Sequence, residues 1–187
     1  MTEPLHDQLV QLYQLLRADT RGRWDRDLPF DELLFDRWER ARSLGFGERA
    51  SIYQSSLVYG DVEVGDDTWI GPFTLLDGTG GLKIGRNCSI SAGVHIYTHD
   101  TVKWAVSGGV AEYEYAPVEI GDCCHIGGQT VVAMGTTIGP HSVVGSSSFV
   151  NRNVPPYTVA VGSPCRPIGR VEIGDDGTVE LTIDAER

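Results

Sequence analysis

The sequence predicts an all-β core built as a parallel β-helix, because aliphatic side chains between Val58 and Val150 recur at six-residue intervals, apart from a step of eight residues before Ile84 and a pause before Ile120. Seven of these 13 aliphatic residues are followed directly by glycine, and a small residue recurs four positions after the aliphatic. Neither the two-residue period of an ordinary strand nor the 3.6-residue period of a helix gives this pattern. Three faces of six residues make one coil, so the repeat predicts a prism of four to five stacked coils. The periodic residues are Val58, Val64, Ile70, Leu76, Ile84, Ile90, Ile96, Ile120, Ile126, Val132, Ile138, Val144 and Val150.

Inside such a prism we expect the aliphatic residue to point inward, the small residue to fit a corner and the glycine to relax the backbone. Cys88 and Cys124 occupy the small position, so we predict that both thiols have a packing role, whereas Cys123 should point outward. The four cysteines include no C-x-x-C pair, which favours reduced thiols over a disulfide framework.

Helical periodicity precedes the repeat. Residues 3–18 carry a stripe of leucines, and residues 31–44 form a second amphipathic pattern, with Asp31 as a plausible N-cap and Gly45 as a stop. The charged segment between them, 19–27, predicts a turn. We therefore divide the chain into an N-terminal helical appendage (1–50), a β-helix domain (51–170) and a C-terminal extended tail (171–187), in which the two outer parts cap the stack.

The charge balance limits the classes of partner. A formal net charge of −11 argues against a nucleic-acid binder, since phosphate contacts need clustered Lys and Arg. No apolar run approaches the roughly 20 residues of a membrane span, and the N-terminus lacks the layout of a signal peptide, so we expect a cytoplasmic protein. No Lys or Arg occurs between Lys103 and Arg152, which makes the later cations Arg152, Arg166 and Arg170 conspicuous.

The repeat pauses between Ile96 and Ile120, where the segment 100–117 predicts a protruding loop. A loop on a regular scaffold is often the part that meets a ligand. His99 lies at its base, and histidine suits general-base work because its unperturbed pKa lies near neutrality. Trp104, Tyr113 and Tyr115 in the loop offer faces on which a sugar could stack, or they could pin the loop to a neighbouring subunit.

Two stretches carry a family resemblance beyond the six-residue repeats (hexads) themselves: GVHIYTHD before the loop and VNRNVPPYTVAVGSPCRPI at the end of the last hexads. Together with the hexads they make residues 51–170 resemble the hexapeptide-repeat acyltransferases, whose fold is a left-handed parallel β-helix. Maltose and galactoside O-acetyltransferases and the sugar acetyltransferases of polysaccharide biosynthesis are the most similar groups. Residues 1–50 do not resemble the N-terminal segment of the maltose enzymes.

The resemblance implies an acetyl-CoA-dependent acetyltransferase that acts on a sugar hydroxyl, needs no metal and assembles as a homotrimer with sites between prisms. It implies that His99 is the general base and that Asp77 contacts the acceptor. Arg152, Arg166 and Arg170 would meet the phosphates of coenzyme A. The path of its pantetheine arm would follow small residues, which the coil itself could equally demand: Gly145, Ser146, Ala160 and Val161.

Other functions stay open at this point. An N-acetyltransferase for an amino sugar or a nucleotide-linked amino sugar would use His99 in the same way. A γ-class carbonic anhydrase shares the fold but needs three converging histidines. His95 and His125 are 30 residues apart, and removing the loop leaves about two faces rather than a full coil, so they should not stack. A catalytically silent scaffold is the remaining alternative.

Overall fold

The computed structural model describes residues 3–184 as a β-solenoid with helices before it and a hairpin after it. The helices are α1 (Glu3–Trp24), α2 (Phe30–Leu34), α3 (Arg37–Ser43) and α4 (Val102–Val106). The strands are β1 (Ser51–Ile52), β2 (Leu57–Val64), β3 (Trp69–Ile70), β4 (Leu75–Ile84), β5 (Ser89–Ile90), β6 (His95–Ile96), β7 (His99–Asp100), β8 (Glu114–Tyr115), β9 (Val118–Ile120), β10 (His125–Ile126), β11 (Val131–Val132), β12 (Thr137–Ile138), β13 (Val143–Val144), β14 (Phe149–Val150), β15 (Thr158–Val161), β16 (Arg166–Ile173) and β17 (Val179–Ile183).

Parallel pairing arranges these strands on three faces. Face A stacks β1, β3, β5, β10, β13 and β15. Face B stacks the first residues of β2 and β4 on β6, β11 and β14, and face C stacks the last residues of β2 and β4 on β9 and β12. Six strands on face A exceed the predicted four to five coils. The sequence count omitted Ile52, six residues before Val58, and Ala160, which two prolines displace from the period.

The periodic aliphatic residues form the core. All of them are buried except Val58, which packs partly buried against the same cluster. Ile70, Ile90 and Ile126 show the stacking, since each is the register partner of the next along face A. Full burial of one such side chain contributes roughly 1.5–3 kcal/mol. The six-residue period therefore identified the core residues correctly.

The glycines after the aliphatic residues act by close approach rather than by backbone freedom, which corrects the prediction. None of the seven has a positive φ. A Cβ on Gly127 would lie 2.4 Å from the amide nitrogen of Ser146, and one on Gly139 would lie 2.4 Å from that of Pro156. The backbone of the next coil thus occupies the space that a side chain at these positions would need. The left-handed corner residues are mostly other types: Asp67, Asn87, Cys123, His141 and Tyr157.

Small residues at the corner between faces C and A form a ladder of side-chain donors. Thr68 Oγ1 donates to the carbonyl of Gly85 at 2.7 Å, and the Sγ atoms of Cys88 and Cys124 donate to corner carbonyls at 3.2 Å. Each donor pairs a carbonyl one coil further along. The buried thiols therefore pack and hydrogen-bond, and all four cysteines are free.

The helical region departs from the prediction at two places. Helix α1 continues through the expected turn to Trp24, because Gly22 costs a helix only about 1 kcal/mol and Arg23 pairs with Asp19 at 2.9 Å. The second helix is interrupted at Phe35, whose backbone is extended. Asp36 then caps α3 by accepting the amide of Glu39 at 2.8 Å, so the cap is Asp36 rather than Asp31.

Helices α2 and α3 are tied to the first coil, whereas α1 is not. Ala41 of α3 is fully buried, and Glu32 of α2 accepts the amides of Gln54 and Ser55 at 2.9 Å each. In the leucine stripe of α1, Leu16 is half-buried and the other leucines stay exposed. At the other end, β16 and β17 form an antiparallel hairpin on β15, where the sequence predicted an extended tail. Among residues 3–184, no helix combines the length and the apolar character that crossing a bilayer requires.

Candidate active site

The edge between faces B and C carries a short contact between a histidine and a buried carboxylate. His99 Nδ1 lies 2.6 Å from Asp77 Oδ2, although the two residues are 22 positions apart. The cause is register: Leu76 pairs with Ile96, so the residues that follow each of them lie on adjacent levels of this edge. Both coils are lengthened here, by two residues after Asp77 and by the loop after His99.

Asp77 is completely buried and fully hydrogen-bonded. Its Oδ1 accepts the hydroxyl and the amide of Thr79 at 2.7 and 3.0 Å, and its Oδ2 accepts the amide of Thr98 at 2.9 Å. Burial alone would raise the pKa of Asp77, but these hydrogen bonds and that from His99 outweigh it and lower the pKa to about 2. The carboxylate is therefore ionised at neutral pH and can only accept hydrogen bonds. His99 Nδ1 must then carry a proton and donate it to Asp77 Oδ2.

Glycines permit this packing. A Cβ on Gly78 would lie 2.1 Å from the carbonyl oxygen of Asp61, and one on Gly80 would lie 2.3 Å from that of Thr98. Thr98 is also buried: its hydroxyl donates to the carbonyl of Asp77 and accepts the amide of Gly80, both at 2.8 Å. Groups from two adjacent levels of the edge, Thr79 on one and Thr98 and His99 on the other, thus hold the Asp77 carboxylate in one position.

His99 remains open to solvent, with 34% of its side chain exposed. Tyr115 lies beside it at 6.2 Å between ring centroids, because β7 and β8 pair at the root of the loop. Thr79 Oγ1 is 3.2 Å from the protonated ring nitrogen. Tyr59, one level below Asp77 and two below the coil of His99, is the register partner of Asp77 and is 47% exposed.

The loop is folded on itself. Trp104 of α4 meets Tyr113 edge to face at 5.5 Å, and Lys103 pairs with Glu114 at 2.7 Å. Trp104 and Tyr113 are 42% and 43% exposed, so each keeps a free ring surface. The aromatic ring beside His99, however, belongs to Tyr115.

The residues predicted to bind coenzyme A fall on two edges. Arg152 follows β14, so it lies on the same edge as His99, two levels away, which corresponds to about 10 Å. Gly145 and Ser146 follow β13, and Val161 is the last residue of β15, so all three lie at the edge between faces A and B. Ala160 is fully buried as the register partner of Val144. Its side chain therefore belongs to the core, so only the backbone of Ala160 could face a ligand.

The remaining arginines stand on the final hairpin. Arg166 pairs with Val161, and its Nη1 donates to the carbonyl of Cys165 at 2.6 Å. Arg170 pairs with Thr158. Within residues 3–184, none of Arg152, Arg166 and Arg170 forms an ion pair, so their guanidiniums are available to an anion.

The geometry changes the role expected for Asp77. Direct contact with an acceptor would need an exposed carboxylate, but every contact of Asp77 is internal and one is with His99. The sequence showed a signal that could have indicated this, namely two extra residues one coil before the histidine. Tyr59 and Thr79 were missed because neither carries a motif. His95 and His125 lie on faces B and A, and no three His, Cys, Asp or Glu side chains in 3–184 are grouped to hold a metal ion.

Comparison with known proteins was made by sequence and by fold. No protein-family model matches the chain. It is 29% identical over 132 residues to the galactoside O-acetyltransferase of Escherichia coli K12, covering 60% of this chain and 65% of that protein. It is 41% identical over 61 residues to a putative acetyltransferase of Staphylococcus aureus Mu50, covering 32% of this chain and 31% of that protein. The chain therefore aligns with less than two thirds of either relative.

Solved structures match over most of the chain. A hexapeptide-repeat acetyltransferase from Vibrio cholerae is 28% identical with a TM-score of 0.66, and covers 90% of this chain and 91% of its own. This chain has the hexapeptide-repeat fold. A maltose O-acetyltransferase from Clostridium difficile 630 is 29% identical with a TM-score of 0.64, covering 88% and 89%.

Two further structures of similar fold contain ligands. A second structure of the Vibrio protein holds acetyl coenzyme A. The N-acyltransferase AntD from Bacillus cereus, in complex with coenzyme A and dTDP-4-amino-4,6-dideoxyglucose, is 18% identical with a TM-score of 0.60 and covers 71% of this chain and 88% of its own. At that identity AntD shares the fold alone.

Proposed function

We propose that this protein is an acetyltransferase that uses acetyl coenzyme A to acetylate a hydroxyl group of a sugar, with His99 as the general base. The observation that carries the proposal is the 2.6 Å contact between His99 Nδ1 and the buried Asp77 carboxylate. A histidine held this way is a common arrangement for removing a proton from an attacking group.

The ionised Asp77 fixes the tautomer of His99. Because Nδ1 donates to Asp77, Nε2 keeps its lone pair and can accept the proton of the acceptor hydroxyl. Asp77 also stabilises the imidazolium that this transfer creates. We therefore assign Asp77 a positioning role beneath His99 rather than a contact with the acceptor.

The acetyl transfer needs only His99, the acceptor hydroxyl and the thioester. The acceptor oxygen loses its proton to His99 Nε2 and bonds to the thioester carbonyl carbon, the carbon–sulfur bond breaks, and His99 returns the proton to the departing sulfur. The acetyl ester and the free thiol are the products. Donors to the carbonyl oxygen would lower the barrier further.

Acetyl coenzyme A is the donor that the unpaired arginines favour. Guanidiniums meet phosphate oxygens in a fork, and Arg152, Arg166 and Arg170 have no acidic partner in the described chain. Gly145, Ser146 and Val161 would line the pantetheine arm, to which Ala160 could offer only its backbone. The acetyl coenzyme A held by the Vibrio neighbour supports this donor.

The split between two edges favours a homotrimer. Gly145 and Ser146 lie on a different edge from His99, so a complete site would combine edges of two prisms. Face B supports association, because its outward residues are largely apolar: Leu57, Leu75, His95, Val131 and Phe149. Face C instead presents the Glu63 and Lys83 ion pair and Glu119.

For the acceptor we propose a saccharide in contact with Tyr115, Tyr59 and Thr79, with Trp104 and Tyr113 reaching it from the loop. Tyrosine rings suit the apolar faces of sugars, and the Thr79 hydroxyl can hydrogen-bond. A hydroxyl acceptor is preferred over an amine because the neighbours above 25% identity with a named reaction are O-acetyltransferases. Acylation of an amino sugar remains the second candidate.

One experiment tests the proposal. The full chain would be incubated with acetyl coenzyme A and separate panels of sugars, amino sugars and nucleotide-linked sugars, and thiol release would be measured. Treating the product with hydroxylamine would distinguish an ester from an amide, because an acetyl ester is converted to acetohydroxamate whereas an amide is not. We expect an ester on a sugar and a large loss of turnover in His99→Ala. A His99→Ala variant that keeps both its fold and the turnover of the unmodified chain would contradict the assignment.

A further inference from the structure

A cavity of about 390 Å³ lies outside the repeat, between the end of α1, helices α2 and α3, and the first coil. Its volume is within the range of small-molecule sites. The lining residues are Thr20, Trp24, Arg26, Leu28, Glu32, Leu33, Leu34, Phe35, Asp36, Arg37, Trp38 and Tyr53. None of them has a part in the transfer proposed above.

Two guanidiniums converge in this cavity without an acidic partner. Arg37 Nη1 donates to the hydroxyl of Tyr53 at 2.9 Å, and Arg26 Nη1 reaches the same oxygen at 3.4 Å. Like charges repel at such proximity, and no carboxylate within residues 3–184 forms an ion pair with either arginine. In a chain of net charge −11, two close unpaired cations indicate a place for an anion.

The acidic residues in the lining are already in use. Glu32 accepts the amides of Gln54 and Ser55 and the hydroxyl of Ser55, all within 2.9 Å. Asp36 accepts the first amides of α3 through Oδ1. Their charges are therefore directed at backbone donors of the chain, and the arginine donors remain free for a ligand.

Flat aromatic surfaces surround the two arginines. Arg37 lies over the ring of Trp38 at 4.1 Å and over that of Tyr53 at 5.2 Å, which fixes its guanidinium in place. Trp24 and Phe35 are 70% and 57% exposed, so their rings are free to cover a ligand. An anionic group at the arginines would place an attached ring against these side chains.

We propose that this cavity binds a flat ring carrying an anionic group, with Arg26 and Arg37 holding the anion and Trp24 and Phe35 covering the ring. A nucleoside monophosphate and an aromatic carboxylate share this chemistry. The site is independent of the catalytic edge, since its residues precede or begin the first coil while His99 follows the third strand of face B.

Calorimetric titration of the full chain tests the proposal with three probes: adenosine monophosphate, benzoate and inorganic phosphate. Binding of either ring-bearing anion more tightly than phosphate supports the site, and the stronger of the two identifies the source. Arg37→Gln and Arg26→Gln should each weaken binding by roughly tenfold, the loss of one charged hydrogen bond. Trp24 is 70% exposed, so Trp24→Ala should leave the fold intact, weaken binding of the ring-bearing probes and leave binding of phosphate unchanged.

Arg49→Gln is the matched control, because Arg49 is an exposed arginine already paired with Asp67 at 2.6 Å. It should leave binding unchanged. The proposal fails if no probe binds at millimolar concentration, or if all three arginine variants weaken binding equally. It also fails if saturating coenzyme A displaces the probe and Arg152→Gln abolishes its binding, because the probe would then occupy the donor site.

Discussion

The edge between faces B and C exists in two forms. Its upper part consists of residues 133–136 and 151–153. The first of these turns keeps the six-residue period and forms its hydrogen bond within the turn, where Thr136 Oγ1 donates to the carbonyl of Ala133 at 2.8 Å. Its lower part, residues 77–81 and 97–117, is lengthened and buries an ionised carboxylate beneath a histidine. A regular corner leaves no space for chemistry, whereas extra residues allow polar groups of adjacent coils to meet.

Removing the histidine of the lower edge should give the largest effect. His99→Ala eliminates the proposed base, so kcat for thiol release should fall roughly 10²- to 10⁴-fold. His125→Ala, on face A, is the control and should retain full activity. Equal losses in both variants would indicate a general structural defect instead.

Asp77→Asn should produce a smaller loss of kcat, on the order of 10²-fold, because an amide no longer fixes the His99 tautomer. The acceptor KM should change little if Asp77 only positions His99. A raised KM with normal kcat would instead restore the predicted acceptor contact for this residue.

The same carboxylate should make stability depend on pH. Its folded pKa of about 2 lies below the ordinary 3.8, so ionised Asp77 stabilises the fold above pH 4, and this contribution is lost as pH falls towards 2. The shift corresponds to roughly 2 kcal/mol. Urea unfolding between pH 5 and 2 should show a shallower pH dependence for Asp77→Asn than for the unmodified chain, and equal slopes would refute this.

Gly80→Ala tests the close approach at the lower edge. Its Cβ would lie 2.3 Å from the Thr98 carbonyl oxygen, so unfolding free energy should fall by about 1–3 kcal/mol, with some loss of activity. Gly22→Ala in α1 is the matched control, since nothing lies within 4 Å of its Cβ position and a gain of up to about 1 kcal/mol is expected. Thermal unfolding of both variants provides the comparison.

The smallest effect concerns the corner between faces A and B. Thr74 Oγ1 is buried with no hydrogen-bond partner, whereas Thr130 Oγ1 donates to the carbonyl of Gly145 at 3.1 Å. Thr74→Val should leave stability unchanged or slightly raised, and Thr130→Val should lower it by about 1 kcal/mol. Urea midpoints in the reverse order would show that Thr74 is hydrogen-bonded in solution.

The core could be predicted from sequence because each inward residue has a fixed place in the period. Ile90 and Ile126 illustrate this, since they stack despite the intervening loop. The pairing of Asp77 with His99 could not be predicted, because it depends on how two unequal insertions fold against each other. The helix boundary at Phe35 was missed for a similar reason: Glu32 and Arg40 bind the first coil on either side of it, and tertiary contacts outweigh local propensity.

Strand β4 has a consequence for how this fold can diversify. It pairs with β6 through Leu75 and Leu76 and with β9 through Leu82 to Ile84, so the coil returns to its place after an excursion of more than twenty residues. Both ends of this loop, β6 before it and β9 after it, are therefore held by β4, which lies in the preceding coil. Segments of other lengths and chemistries could therefore be exchanged at this position without altering the stack, which makes the lower edge a natural place for substrate preference to evolve.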